Sequence, residues 1–144
     1  MPQYNADKIA KLISEMRKAS DRLRNLSSIQ KEKFLKNYDK IDSAKYNFII
    51  AIESAIDICN HIISQNNYRL PKDFGDTFQV LFEQNVFDKK FLSNLKSMAK
   101  FRNRLVHIYW EVNDEQVYVY LQNNLKDFKI FLKSISEFLH LNDI

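Results

Sequence analysis

The sequence is short of the residues that break regular structure: one glycine and two prolines in 144 residues. Sheets joined by tight turns draw on both, so the shortage excludes a hairpin-rich β fold and predicts long helices with short connections. A single cysteine, Cys59, excludes an internal disulfide, and its place in an apolar helical pattern fits a reducing cytoplasm. No uninterrupted apolar run is long enough to cross a bilayer. The strongest cluster, Phe48 to Ile63, is broken by Glu53, Asp57, Asn60 and His61. Met1 to Ala10 is mixed polar and lacks the pattern of a secretion signal, so the expected location is the cytoplasm, with no membrane partner. What is present is ordinary for a globular chain, 45% apolar and 28% charged, and its length suits one domain over residues 1–144.

The net charge of +4 is modest, but it is unevenly placed. Asp88 to Arg104 carries six Lys or Arg against one Asp, a net of +5 that leaves −1 for the rest of the chain. Such a concentration attracts a polyanion.

Apolar spacing predicts an all-α bundle of about four long helices plus one or two short ones. Ile9, Leu12, Met16, Ala19, Leu23 and Leu26 form one stripe on a helix from Asp7 to Leu26. Ser27 and Ser28 are expected to cap a helical turn anchored by Phe34 and Leu35, followed by a bend at Asn37 to Asp39. A core helix runs from Ile41 to Ile63, and Gln65 to Asp73 reads as a loop. Asp73 and Asp88 are expected caps of a short helix and a long one, the latter with Phe91, Leu92, Leu95, Met98, Ala99, Arg102, Leu105 and Val106 facing inward. After an irregular link at Trp110 to Val112, Asn113 and Gln116 resemble a capping box, and the spacing from Val117 to Leu139 predicts one final helix.

Two groups of polar residues stand out. Glu53, Asp57 and His61, with Asn60 beside them, share one face of the core helix and admit a metal reading. No matching ligand pair occurs elsewhere, so a hydrogen-bonded stripe lining a cleft is the better reading, and no metal or other cofactor is expected. The second group is Arg102, Asn103, His107, Tyr109 and Trp110. Asn103 and His107 share a helix face, while Arg102 lies about 140° round from His107 and must reach the site with its long side chain. A guanidinium fork fits phosphate oxygens and an imidazole moves protons near neutrality. The pair suffices to cleave RNA, because the 2′-hydroxyl is a nucleophile already in the substrate. Arg102 and His107 are the candidate catalytic residues, and Asn103, Lys100 and Arg104 the candidate RNA-binding residues. The plain alternative is a surface histidine and an arginine meeting the helix dipole, with Tyr109 and Trp110 as packing aromatics.

Arg102-x4-His107-x-Tyr109 resembles the signature of HepT toxins, the minimal HEPN-domain ribonucleases of prokaryotic toxin–antitoxin pairs. The segment Ala55 to Ile63, with its Asp-Ile-Cys-Asn-His run, and Phe101 to Val112 are similar to the family's core helix and active-site helix; the likeness spans about Ile41 to Leu139. It implies a HEPN-type up-down bundle and metal-independent RNA cleavage in a cleft shared by a homodimer. It also implies, as in a type VII toxin–antitoxin system, an MntA-like nucleotidyltransferase antitoxin that silences the toxin by AMPylation of Tyr109. Two rival functions are a HEPN module that binds a nucleotide or a partner without cutting, and a structural four-helix protein that dimerises through the Ile9 to Leu26 stripe.

Overall fold

Asparagine and aspartate caps set where the helices begin. In the computed structural model, which describes residues 1–141, α1 spans Ala6–Ser27, α2 Lys31–Leu35, α3 Tyr38–Gln65, α4 Phe74–Glu83 and α5 Lys89–His107. A 3₁₀ turn at Tyr109–Glu111 precedes α6 (Asp114–Asn123) and α7 (Lys126–Leu139). The side chains of Asn5, Asn37, Asp73, Asp88 and Asn113 each accept a backbone N–H in the first turn that follows. Each such cap is worth about 1 kcal/mol. The expected caps at Asp73 and Asp88 are therefore present. Asn37 caps α3 rather than bending the chain, because its carboxamide takes the Lys40 N–H.

Ser27 and Ser28 do not cap α2. Their hydroxyls turn back and donate to the Arg24 and Asn25 carbonyls, satisfying the frayed end of α1. The expected single C-terminal helix is also two. Asn123 and Asn124 are weak helix formers at its middle, and the chain turns there through Asp127 N–H to Asn124 O and Phe128 N–H to Leu125 O bonds. Among the described residues the bundle thus has four long helices and three short ones.

Scarce glycine has a visible consequence at the turns. Left-handed backbone is needed after α3, α4 and α7, and it is supplied by Asn67 (φ 54°), Asn85 (φ 64°) and His140 (φ 58°). Asn tolerates that region better than most side chains.

The central helix is α3, with α1 along one side and α4 and α5 on another. Fifteen of its 28 residues are buried. By length and composition α3 could cross a membrane, yet 67% of its most apolar window is buried inside the bundle. Phe87 stacks on Phe131 at 5.7 Å between ring centres, and Phe78 meets both edge-on, locking α4, the α4–α5 connection and α7 together. Fully burying one such ring contributes about 1.5–3 kcal/mol. On α5 the inward side carries Phe91, Leu92, Leu95, Ala99, Phe101 and Leu105. Val106, expected inside, is 42% exposed, and Arg102 is only partly buried; the buried face passes through Phe101 instead.

Candidate active site

α5 delivers most of the polar group near its C-terminal end. Arg102 is fixed from three sides: Nη2 is 3.4 Å from Glu53 Oε1 on α3, Nη1 donates to Asn103 Oδ1 at 3.1 Å, and Cζ lies 4.8 Å from the centre of the Phe74 ring on α4. Its side chain is 15% exposed, and its Nε–H is buried without a partner. An unsatisfied buried donor costs roughly 1–3 kcal/mol and is uncommon in a settled structure. His107 is the last residue of α5 and is exposed. Lys100 and Asn103 both line an open groove beside α4. Arg104 turns elsewhere, its Cζ 5.5 Å from the Phe101 ring centre.

The helix stops where Ile108 leaves helical angles, at φ −135° and ψ 44°, and the following 3₁₀ turn swings Tyr109 back against α3. There Tyr109 Oη donates to Asp42 Oδ1 at 2.5 Å. Lys45 Nζ sits 4.4 Å from the ring centre, bonds the Tyr109 carbonyl at 3.4 Å and pairs with Asp114 at 3.2 Å. Burial pushes the phenol well above its ordinary value, helped by the hydrogen bond and charge of Asp42 and by Asp114. Tyr109 therefore holds its proton at neutral pH. Trp110, a packing aromatic on the plain alternative reading, is 78% exposed.

Sequence reasoning missed Glu53 as the partner of Arg102, and it missed Asp42, Lys45 and Asp114 around Tyr109. Lys45 offered one signal: a lysine at a buried position of the core helix, 5% exposed, requires a partner.

The Glu53, Asp57 and His61 stripe is divided among separate tasks. Glu53 faces Arg102, and Asp57 lines a groove with Lys8, its carboxyl pushed up by burial and by Glu53 against the pull of Lys8 and Arg102. His61 Nε2 accepts the Asn5 backbone N–H at 2.9 Å, which ties the segment before α1 to α3. Among the described residues no group of three or more His, Cys, Asp or Glu is arranged to hold a metal.

Burial, and secondarily the charge of Lys8, lowers the His61 value below the ordinary 6.5. The unfolded chain then takes up the proton first. The His61 contribution is fully present above about pH 6.5 and is lost as pH falls through the lower folded value. Melting temperature is expected to drop between about pH 7.5 and pH 5.5, and to drop less in His61→Gln, which cannot titrate. Parallel pH profiles for parent and variant would remove His61 as the cause.

A family model described as ribonuclease HepT-like matches residues 16–135. The chain belongs to this family. Among relatives of this HepT-like chain, the mRNA nuclease HepT of Shewanella oneidensis is 34% identical over 102 residues, covering 71% of this chain and 77% of that protein. The tRNA nuclease HepT of Aphanizomenon flos-aquae is 21% identical over 119 residues, covering 83% and 81%. The tri-AMPylated Shewanella oneidensis HEPN toxin, solved in complex with an MNT antitoxin, superposes with a TM-score of 0.84 at 30% identity, covering 91% of this chain and 98% of that one. The expected all-α HEPN fold is therefore the fold of this HepT-like chain, and its segment from Ala55 to Val112 lies wholly within the matched residues.

Proposed function

We propose that this chain is a metal-independent endoribonuclease, the toxin of a type VII toxin–antitoxin pair. The observation that carries the reading is Arg102, a guanidinium clamped by Glu53, Asn103 and Phe74 with a buried donor left over, on the helix that ends in exposed His107. A permanent cation held in place can bind the scissile phosphate and offset the charge that grows on its oxygens. His107 moves the proton in the step that forms the new bond from the 2′-oxygen to phosphorus and expels the 5′-oxygen, leaving a 2′,3′-cyclic phosphate and a 5′-hydroxyl. Asn103 and Lys100 bind the phosphate backbone beside it, while Arg104 contributes at longer range.

Two copies complete the site. Arg102 and His107 are splayed on one helix, and a second copy related by a two-fold axis brings another pair to the same cleft. Exposed Tyr46, Val106 and Trp110, at 58%, 42% and 78%, offer apolar surface near the α5 exit for that contact. The partner that silences the toxin is an MntA-like nucleotidyltransferase, which adds AMP to Tyr109 in the cytoplasm. The similarity to an AMPylated toxin bound to its MNT antitoxin supports this reading.

The test is cleavage of RNA by the purified protein in excess EDTA, with the ends identified and the mass of the active species measured. Cyclic phosphate ends from a dimer are the expected result. Binding without cutting would favour the non-catalytic HEPN module, and a requirement for added metal would remove the metal-free mechanism.

A further inference from the structure

The groove beside the site is longer than one phosphate needs. It has a volume of about 390 Å³ and is lined by Lys72, Asp73, Gly75, Asp76 at the start of α4 and by Lys96, Ala99, Lys100 and Asn103 on α5. Lys96, Lys100, Asn103 and His107 stand at i, i+4, i+7 and i+11, within about 60° of arc on α5, so they form a straight file roughly 16 Å long that ends at the imidazole. Two lysines, Lys96 and Lys100, thus lead away from the cleavage point on one side of the helix, with Lys72 facing them from the loop before α4.

The two acids in the groove are already occupied. Asp76 is held by both Nη atoms of Arg69 at 2.8 Å and also accepts the Lys72 backbone N–H at 2.9 Å, while Asp73 Oδ1 accepts the Asp76 N–H at 2.7 Å. Arg69 also pairs with Glu83, so the loop carrying Lys72 is pinned to α4 before any ligand arrives. Lys96 is likewise aimed, its Nζ donating to Gln79 Oε1 at 2.8 Å.

The only glycine of the chain forms part of the groove wall. Gly75 has no positive φ, and a Cβ there would meet its nearest neighbours, Asp73 Oδ1 and Lys96 Cγ, at ordinary distances of 3.5 and 3.9 Å. Neither backbone nor packing requires a glycine, which in a helix costs about 1 kcal/mol relative to alanine. What the missing side chain preserves is open groove.

We propose that this α4–α5 groove is a second phosphate track, in which Lys72, Lys96 and Lys100 hold the RNA backbone of the nucleotides flanking the cleavage point. The inference rests on the ribonuclease reading above. It makes the enzyme favour long single strands over short ones, because distant backbone charges anchor the substrate before the scissile phosphate reaches Arg102 and His107.

The experiment uses the full chain and two probes, a single strand of about 16 nucleotides and a dinucleotide too short to leave the cleavage point. Affinity is measured in a His107→Ala background over a salt series, and kcat/KM in the parent background. The Lys72→Ala/Lys96→Ala double variant is expected to lose about tenfold in long-strand affinity and in kcat/KM, because each lysine–phosphate pair is exposed and screened and so contributes about half a decade. Its salt slope should fall by about 1.4, at about 0.7 per contact. The long-to-short ratio of kcat/KM should collapse, and Lys72→Arg/Lys96→Arg should restore it. Gly75→Leu, which fills the groove without removing charge, should give the same length-selective loss. Unchanged melting temperatures establish that the fold is intact. Equal losses on both probes, or undiminished binding of the long strand, would overturn the track while leaving the ribonuclease reading standing. A parent chain that neither binds nor cuts either probe would overturn the ribonuclease reading itself.

Discussion

His107→Ala is expected to lower RNA cleavage by about 10²–10⁴-fold, the range that positioned proton transfer supplies, and to remove growth inhibition with it. Stability should hardly move. The imidazole is exposed at the end of α5, and no hydrogen bond involves its side chain among the described residues, so the change should stay within about 0.5 kcal/mol. Arg102 is a less clean target. Its side chain is 85% covered and tied to Glu53, Asn103 and Phe74, so Arg102→Ala removes phosphate binding and also leaves Glu53 facing a cavity. The comparison of the two variants is therefore informative: His107→Ala should separate activity from stability, whereas Arg102→Ala should lower both. Initial cleavage rates on one labelled RNA, set against thermal melts of the same samples, make the measurement. If His107→Ala retains parental cleavage, the imidazole has no part in the reaction. If it loses fold and activity together, the loss says nothing of catalysis and the assignment falls.

Most of the fold was legible because helical periodicity and caps are local. Asp73 and Asp88 could be named as caps from three or four neighbouring residues, and the apolar circle of α3 announced a helix covered on most sides. The break between α6 and α7 was not legible from apolar spacing, since Val117, Leu121, Phe128, Leu132, Ile135 and Leu139 are all buried on both sides of it. The polar pair Asn123 and Asn124 carried that information instead. At the site, the file of residues on α5 could be read from the sequence, but the neighbours that tune them could not. Glu53 is 49 residues from Arg102, and Asp42 is 67 from Tyr109; such pairings are set by how α3 packs on α5, and helical spacing contains nothing of that.

Tyr109→Phe should leave a toxin that still cuts RNA but escapes its antitoxin. The phenol is two residues beyond His107, outside α5, and nothing in the cleavage step uses it. Phe keeps the ring on which Lys45 rests at 4.4 Å and loses only the bond to Asp42, a cost of roughly 0.5–1.5 kcal/mol. In the parent, AMP transfer requires the Tyr109 oxygen to attack the α-phosphorus of ATP, expelling pyrophosphate and giving up its proton. A phenol is protonated at neutral pH, and burial with Asp42 pushes Tyr109 further the same way, so the proposed transfer calls for a base to take the proton. Asp42, already the acceptor of the O–H, fixes the oxygen against α3 and stands where the proton can go. The attached phosphate would bring negative charge to the mouth of the basic cleft, repelling RNA and competing for Arg102 without unfolding the bundle. Intact mass after co-expression with an MntA-like nucleotidyltransferase reads the outcome: one or more AMP units on the parent chain, none on Tyr109→Phe, with growth arrest persisting only in the variant. If the parent is silenced while its mass stays unchanged, the antitoxin acts by covering the cleft, and Tyr109 is a contact residue rather than the point of modification.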